Sequence, residues 1–239
     1  GIRDYRGGGR SSARVTAPIV AAGAIAAQVL ASTGVEVTSW VDRVQHLELE
    51  QEYTELNLSQ VDANMVRCPD ADMAAEMQAL IEDIRKEGNT VGGTVACRVT
   101  GVPVGWGEPV FQKLHAQLAH AMISINAAKA FEMGSGIAGT FDKGSEQNDA
   151  FVLEGGQVST TSNNSGGVQG GISNGEDIFF KVHFKPVATI MQDQDSVDED
   201  GNAVIVKGKG RHDPCVLPRA VPIVDAMTAL VLVDAMLMA

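Results

Sequence analysis

Two hydrophobic periods take turns along this chain, and their order restricts the fold more tightly than any total does. Apolar residues fall at helical spacing in residues 18–32, 70–88, 110–123 and 218–238, and mostly at alternating positions or in short apolar runs in 35–58, 91–102, 178–185 and 204–207. A period near 3.6 buries one stripe of a helix, and a period of 2 buries one face of a strand. Strands come in groups separated by single helices, which fits α+β layers better than strict βαβ alternation. A chain of 239 residues can withdraw roughly 70–75% of its unfolded surface from water, so a full core needs no disulfide staples. This length allows one or two domains.

Local signals set the boundaries. Residues 18–32 (PIVAAGAIAAQVLAS) read as a helix with Pro18 in the first turn and Gly34 as the stop. Residues 35–58 read as strands with a turn near Asp42 and Arg43. Asp70 is the expected N-cap of the next helix, whose Met73, Met77, Leu80, Ile81 and Ile84 share a face before Gly88 ends it. The helix over 110–123 is expected to turn Val110, Phe111, Leu114, Leu118, Ala121 and Met122 inward. Residues 134–175 are rich in Gly, Ser, Thr and Asn with little periodicity, and loops this long inside a compact domain are usually functional or mobile. Asp200-Gly201 predicts a hairpin turn. The apolar tail, interrupted by Asp234, reads as a buried helix too short and too charged to span a bilayer.

The body is acidic, with 18 Lys and Arg against 30 Asp and Glu and a net charge of −12. That balance argues against nucleic acid as a partner, which needs a basic field. Against it stands a basic start, where Arg3, Arg6, Arg10 and Arg14 surround Gly7, Gly8 and Gly9 ahead of the first helix. Glycine lets backbone N–H groups approach an anion, a helix start leaves such donors unpaired, and arginine adds a bidentate fork. The stretch suits an oxyanion, and its plain alternative is a basic tail. Cys68, Cys97 and Cys215 are too few and too far apart for a disulfide framework or a zinc site, so reduced thiols of a cytosolic protein are expected. The start shows no signal-peptide pattern.

Three motifs fail on inspection. Gly134, Gly136 and Gly139 match G-x-G-x-x-G, but the sequel TFDKGSEQN reads as a turn, not the helix a dinucleotide site requires. The acidic run from Asp193 puts Val197 and Asp198 where a calcium loop needs a ligand and a glycine. His115 and His120 are spaced off a common helix face, while His46 and His183 have no acidic or thiol neighbour in sequence; no metal site is expected. Two stretches do carry chemistry. Residues 163–175 (NNSGGVQGGISNG) offer amides, hydroxyls and backbone N–H groups. Residues 208–215 set Arg211 and Asp213 on one side of an extended segment and His212 on the other, and the plain alternative is a salt-bridged turn.

Taken together, RGGGRSSAR (6–14), SINAAKAFEMGSG (124–136), GSEQND (144–149), NNSGGVQGGISNG (163–175), FKP (184–186) and GRHDPCVLPRAVPIVDAM (210–227) resemble chorismate synthase. The resemblance implies that residues 1–239 form a single domain, a β-α-β sandwich of antiparallel sheets and helices, in a cytoplasmic homotetramer with no membrane or nucleic-acid partner. It implies a lyase of aromatic amino acid biosynthesis that removes phosphate and a ring hydrogen from 5-enolpyruvylshikimate 3-phosphate in an anti 1,4-elimination. Reduced FMN is implied as cofactor, although the overall reaction is redox-neutral. By motif, Arg10, Ser11, Ser12, Asn126, Ala127, Gly170, Lys185, Pro186, Val187, Ala188, Thr189 and Arg211 match flavin contacts. Arg14 matches a substrate contact, and Asp213 an acid proposed for proton relay beside the flavin.

The chain departs from the family in two ways. Val15 and Pro18 replace a usual Glu and a usual helix former beside the ligand loop. The family's N-terminal portion, with its Gly-Glu-Ser-His-Gly motif and both histidines assigned general-acid roles, has no counterpart here. What resembles the family is its C-terminal two-thirds, which alone is expected to bind flavin weakly and turn over little. The alternatives are a non-catalytic flavin- or phosphate-binding module or assembly subunit, and a flavin oxidoreductase consuming NADPH, for which no nicotinamide motif is found.

Overall fold

In a computed structural model, which describes residues 9–208 and 213–239, two 3-10 turns (Gly9–Ser11 and Ala13–Val15) lead into helix α1 (Thr16–Ala31). Strands β1 (Glu36–Val44) and β2 (Leu47–Glu48), helix α2 (Ala71–Lys86), strand β3 (Gly93–Thr100), helix α3 (Leu114–Ile123) and strand β4 (Ala128–Met133) follow. The one-turn helix α4 (Gly144–Gln147) precedes two hairpins, β5 (Phe151–Glu154) with β6 (Gln157–Thr160), and β7 (Val168–Gln169) with β8 (Ile172–Ser173). The long strand β9 (Ile178–Phe184), the hairpin β10 (Gln194–Val197) and β11 (Ala203–Val206), and helix α5 (Leu217–Met238) complete the order.

One antiparallel sheet in the order β2-β1-β3-β9-β4 organises the rest. Its two faces differ in chemistry. Toward the helices, Gly93 leaves room for Leu217, and Cys97 approaches the Thr228 hydroxyl at 3.9 Å. Helix α5 lies across β1 and β3, with α1 and α3 packed against it. The other face carries Trp40, stacked on Phe179 at 6.3 Å, and Tyr53 stacked on Phe179 at 4.2 Å. With both faces covered, all of β3 except Arg98 and Thr100 is buried. These layers are the α+β arrangement expected from the alternating periods.

Several local expectations hold for the reasons given. Asp70 Oδ1 accepts the Met73 N–H at 2.8 Å and caps α2. Gly88, at φ 71°, ends that helix in a backbone state that favours glycine. Pro18 sits in the first turn of α1, where its missing N–H costs no intrahelical bond. Asp198 Oδ1 accepts the N–H groups of Asp200 and Asn202, closing the β10–β11 turn over Gly201.

Other expectations are corrected. Strand β1 runs through Asp42 and Arg43, absorbing the irregularity as a bulge between Val41 and Arg43, and turns only at Gln45, φ 52°. Asp42 stays inside because Lys181 Nζ meets its carboxylate at 2.9 Å. Beyond β2 the chain leaves the sheet edge for turns and a 3-10 segment (Leu58–Ala63), burying Leu56 and Val61 instead of pairing. Val110 and Phe111 lie outside α3 and are 70% and 89% exposed. A bridge between Glu108 and Gln112 ties them into a turn, and Leu114 N, the first of α3, is held by Gly171 O at 2.8 Å. At 22 residues α5 is long and apolar enough to cross a bilayer, as is Ala13–Ala31, contrary to the sequence reading of the tail. Helix α5 serves here as the core helix, with Leu217, Val224, Thr228 and Leu232 buried.

Candidate active site

Three residues that the motifs did not single out bring the candidate site together at one end of the sheet. Thr90 Oγ1 donates to Val187 O at 2.7 Å, and Val91 N donates to Pro214 O at 2.8 Å. Gly92 packs so closely on the end of β9 that a Cβ there would lie 2.2 Å from Phe184 O and 2.9 Å from Pro186 N. The segments holding Lys185 to Thr189 and Asp213 to Cys215 are thus fastened to one short stretch before β3. Gly92→Val is expected to displace residues 184–187 and to cost about 3 kcal/mol in chemical denaturation, the upper range for overpacking. Unchanged stability would show that this junction yields freely.

The N-terminal loop joins the same end. Asn126 Nδ2 donates to Ser11 O at 3.2 Å, and Lys185 N donates to Ala127 O at 3.0 Å. Ala127 adopts φ 70°, so the chain reverses sharply between α3 and β4. Ser12 caps the second 3-10 turn by accepting the Arg14 N–H at 3.3 Å. Arg10, Ser11 and Arg14 are exposed, as are Asn126 and Lys185, whereas Ser12 and Ala127 are half-buried. Val15 stands at the N-cap of α1 without a side-chain cap bond.

Asp213 Oδ1 meets Arg219 Nη2 at 2.9 Å, a pair set by the first turn of α5. Arg211 and His212, like Arg3, Arg6, Gly7 and Gly8, lie outside the described residues. Gly170 stands apart from the group. It occupies the β7–β8 turn at φ 62°, beside Gly171, which binds the start of α3. Asn126 follows the other end of that helix, so roughly 15 Å of α3 separates the two at 1.5 Å per residue.

The donor set suits a phosphorylated flavin. Arg10, Ser11, Ser12, Asn126 and Lys185 supply positive charge and N–H or O–H donors for a phosphate. Ala127, Pro186, Val187 and Ala188 are small or flat residues that a planar ring can lie against.

The Asn/Gly-rich loop is organised by a buried carboxylate. Asp149 accepts from the Ser162 hydroxyl at 2.7 Å and from the amides of Asn164 and Ser165 at 2.7 and 2.9 Å. Burial would raise its pKa, but the donors from Ser162, Ser165 and Asn164 outweigh it and hold the carboxyl below its usual range. Beside this loop is a polar cleft of about 480 Å³, lined among others by Tyr53, Ser135, Asn163, Glu176 and Asp177. It lies by Gly134 and Phe179, at the opposite end of β4 and β9 from Ala127 and Lys185. Seven residues of β9 span roughly 23 Å, so the cleft is separate from the converging loops.

His183 was discounted in the sequence for want of a neighbour, and the structure corrects that. Its ring bridges Thr94 Oγ1 at 3.0 Å and Glu132 Oε1 at 3.2 Å. Those partners stand 89 and 51 positions away, and only sheet pairing brings them together. The G-x-G-x-x-G segment is a turn, as expected, with Gly134 and Gly136 both at φ 56°. Cys68, Cys97 and Cys215 are free and buried.

Fold and site together define an α+β protein that gathers loops from distant parts of the sequence at one end of an antiparallel sheet. The family profile described as chorismate synthase matches residues 1–237. The chorismate synthase of Christiangramia forsetii is 60% identical over 234 residues, covering 98% of this chain and 65% of that protein. That of Cytophaga hutchinsonii is 57% identical over 235 residues, with the same coverage. A solved chorismate synthase structure superposes with a TM-score of 0.80 at 27% identity, covering 95% of this chain and 64% of that one. The chain belongs to the chorismate synthase family. It spans about 65% of the length of these curated relatives.

Proposed function

We propose that this chain is the larger part of a chorismate synthase, a lyase that eliminates phosphate from 5-enolpyruvylshikimate 3-phosphate to give chorismate. The observation that carries this reading is the meeting of residues 9–15, 126–127, 185–187 and 213–215 at one sheet end, joined by Asn126–Ser11, Lys185–Ala127, Thr90–Val187 and Val91–Pro214 bonds. Those are the segments the family resemblance names, and they come from four distant parts of the sequence.

Reduced FMN, when bound, supplies the electron density on which departure of the phosphate draws. The chain's own part is binding, orientation and proton transfer. Arg10, Ser11, Ser12, Asn126 and Lys185 hold the cofactor's anionic end. Ala127 and the residues Pro186, Val187, Ala188 and Thr189 form the bed of the ring, and Arg211 adds a cation. Arg14 binds the substrate's anionic groups. Asp213, oriented by Arg219, takes or relays the proton that leaves the substrate ring. Gly170, on the β7–β8 turn, is a further flavin contact by motif, and the full enzyme is a homotetramer. The family's N-terminal portion bears the histidines assigned general-acid roles, and the reading places the enzyme in the cytoplasm, acting on a small-molecule substrate. NADP enters only if the protein reduces its own flavin.

Anaerobic titration of the 239-residue chain with reduced FMN and substrate tests this reading. Weak flavin binding with little turnover is expected, and near-normal turnover would refute the reading of an incomplete site. Arg10→Ala is expected to weaken flavin binding by ~10- to 100-fold, since a hydrogen bond to a charged group contributes about 1.5–3 kcal/mol. Equal affinity in the two proteins would remove the N-terminal loop from the site.

A further inference from the structure

We infer that His183 is a positioning residue, which holds the loops of Asn126–Ala127 and Lys185–Val187 in register by tying β4 and β3 to β9. The inference rests on the flavin reading for its consequence, but its geometry stands alone. At this end of the sheet the β4–β9 ladder is irregular. Ala128 pairs with Phe184 and Ala130 with His183, so Lys129 is an extra residue in β4. A bulge leaves such a residue unpaired and weakens the local ladder. The weak point falls directly before the Lys185 N to Ala127 O bond that joins the two loops.

The imidazole bridges the neighbouring strands just beside this point, on the sheet face away from the helices. Nδ1 engages Thr94 Oγ1 at 3.0 Å on one neighbouring strand, and Nε2 meets Glu132 Oε1 at 3.2 Å on the other. Thr94 is 1% exposed, and the His183 and Glu132 side chains are 23% and 22% exposed. The approach to Glu132 is poorly aligned, so Nε2 is buried beside a carboxylate without completing a hydrogen bond. Other basic groups on this face are engaged elsewhere, Lys181 with Asp42 and Glu48, and Arg43 with Glu48. Among the described residues, His183 is the basic side chain that lies within 4 Å of the Glu132 carboxylate. An apolar residue would fill the same space, but it would tie neither strand and would strand a half-buried carboxylate.

The test is hydrogen exchange on the ligand-free chain, with FMN affinity measured beside it. His183→Ala is expected to speed exchange of the Ala128 and Lys185 amides by about tenfold while the rest of the sheet keeps its protection. It is also expected to weaken FMN binding by about tenfold. His183→Gln, whose amide can reach both partners, should restore both. Unchanged exchange at these amides, or faster exchange spread evenly over the sheet, would overturn the inference. Local exchange that changes while FMN affinity does not would leave the positioning role standing and count against the flavin reading. Should His183→Ala fail to fold, Glu132→Ala removes the β4 end of the same tie, and unchanged exchange there overturns the inference equally.

Discussion

Replacing Gly23 by alanine is expected to lower stability by about 2 kcal/mol, although the same change inside an exposed helix gains ~1 kcal/mol. The sign is decided by the contact between α1 and α5. A Cβ on Gly23 would lie 2.3 Å from the Ala226 Cβ and 2.4 Å from its Cα, well inside contact distance. The helices would have to part by more than an ångström, loosening Ala26 and Leu30, which α1 buries beside the contact. Overpacking of that kind typically costs 1–3 kcal/mol or somewhat more, which outweighs the gain in helix propensity. Ala24→Gly on the exposed face provides the reference, with a loss of about 1 kcal/mol and no change in packing. Urea unfolding measures both. A stabilised Gly23→Ala would mean that α1 does not rest on α5 at this point. The effect should reach the site, because α1 directly follows the turns holding Arg10 to Arg14, and Ser11 O is where Asn126 binds. Flavin affinity should therefore fall with stability in Gly23→Ala and hold steady in Ala24→Gly.

Most of what depends on local sequence was legible, and most of what depends on pairing between distant segments was not. The Asp70 cap, the Gly88 stop and the Asp200-Gly201 turn each need only a few neighbouring residues, and each forms. The α+β class followed from the order of periods for the same reason. The turn placed at Asp42 failed because a buried aspartate is stable only with a partner, and Lys181 lies on another strand. Val110 and Phe111 looked like the first inward turn of a helix. The helix start is decided instead by Gly171, which holds Leu114 across the fold. At the site, the motif residues were legible because they resemble a family, not because their spacing predicts convergence. The residues that gather them, Thr90, Val91 and Gly92, carry no motif. Their work is done by a hydroxyl, a backbone amide and a missing Cβ, and none of these has meaning until β9 and the start of α5 lie alongside. His183 was hidden in the same way.

The second large effect is one of pH, and it centres on Asp225. This carboxyl lies on α5 facing β1, where its Oδ1 is shut off from solvent and has no hydrogen-bond partner. Burial raises its pKa from 3.8 to about 7, against the opposing contributions of Ser39 and the more distant Arg67. Between those two values the folded protein holds a proton that the unfolded chain releases. Folding then takes up a proton, so stability falls as pH rises through that window and levels off above the folded value. The full shift corresponds to a penalty on the order of 4 kcal/mol for the ionised folded state. Asp225→Asn keeps the shape and removes the ionisation. The variant should match the parent near pH 4, gain on it steadily toward pH 7, and exceed it by a few kcal/mol at pH 8. Denaturant unfolding of both proteins across that range, read as the difference between the two curves, isolates Asp225 from every other titrating group. A difference that stays constant from pH 4 to 8 would mean that Asp225 keeps its ordinary acidity, and hence that α5 does not bury it against β1. The direction also separates this residue from Asp149, whose lowered pKa contributes stability that is present above the ordinary carboxyl range and is lost as pH falls through the folded value. Acid should therefore loosen the loop that Asp149 organises, while a rise from pH 4 to neutrality strains the seat of α5 on the sheet.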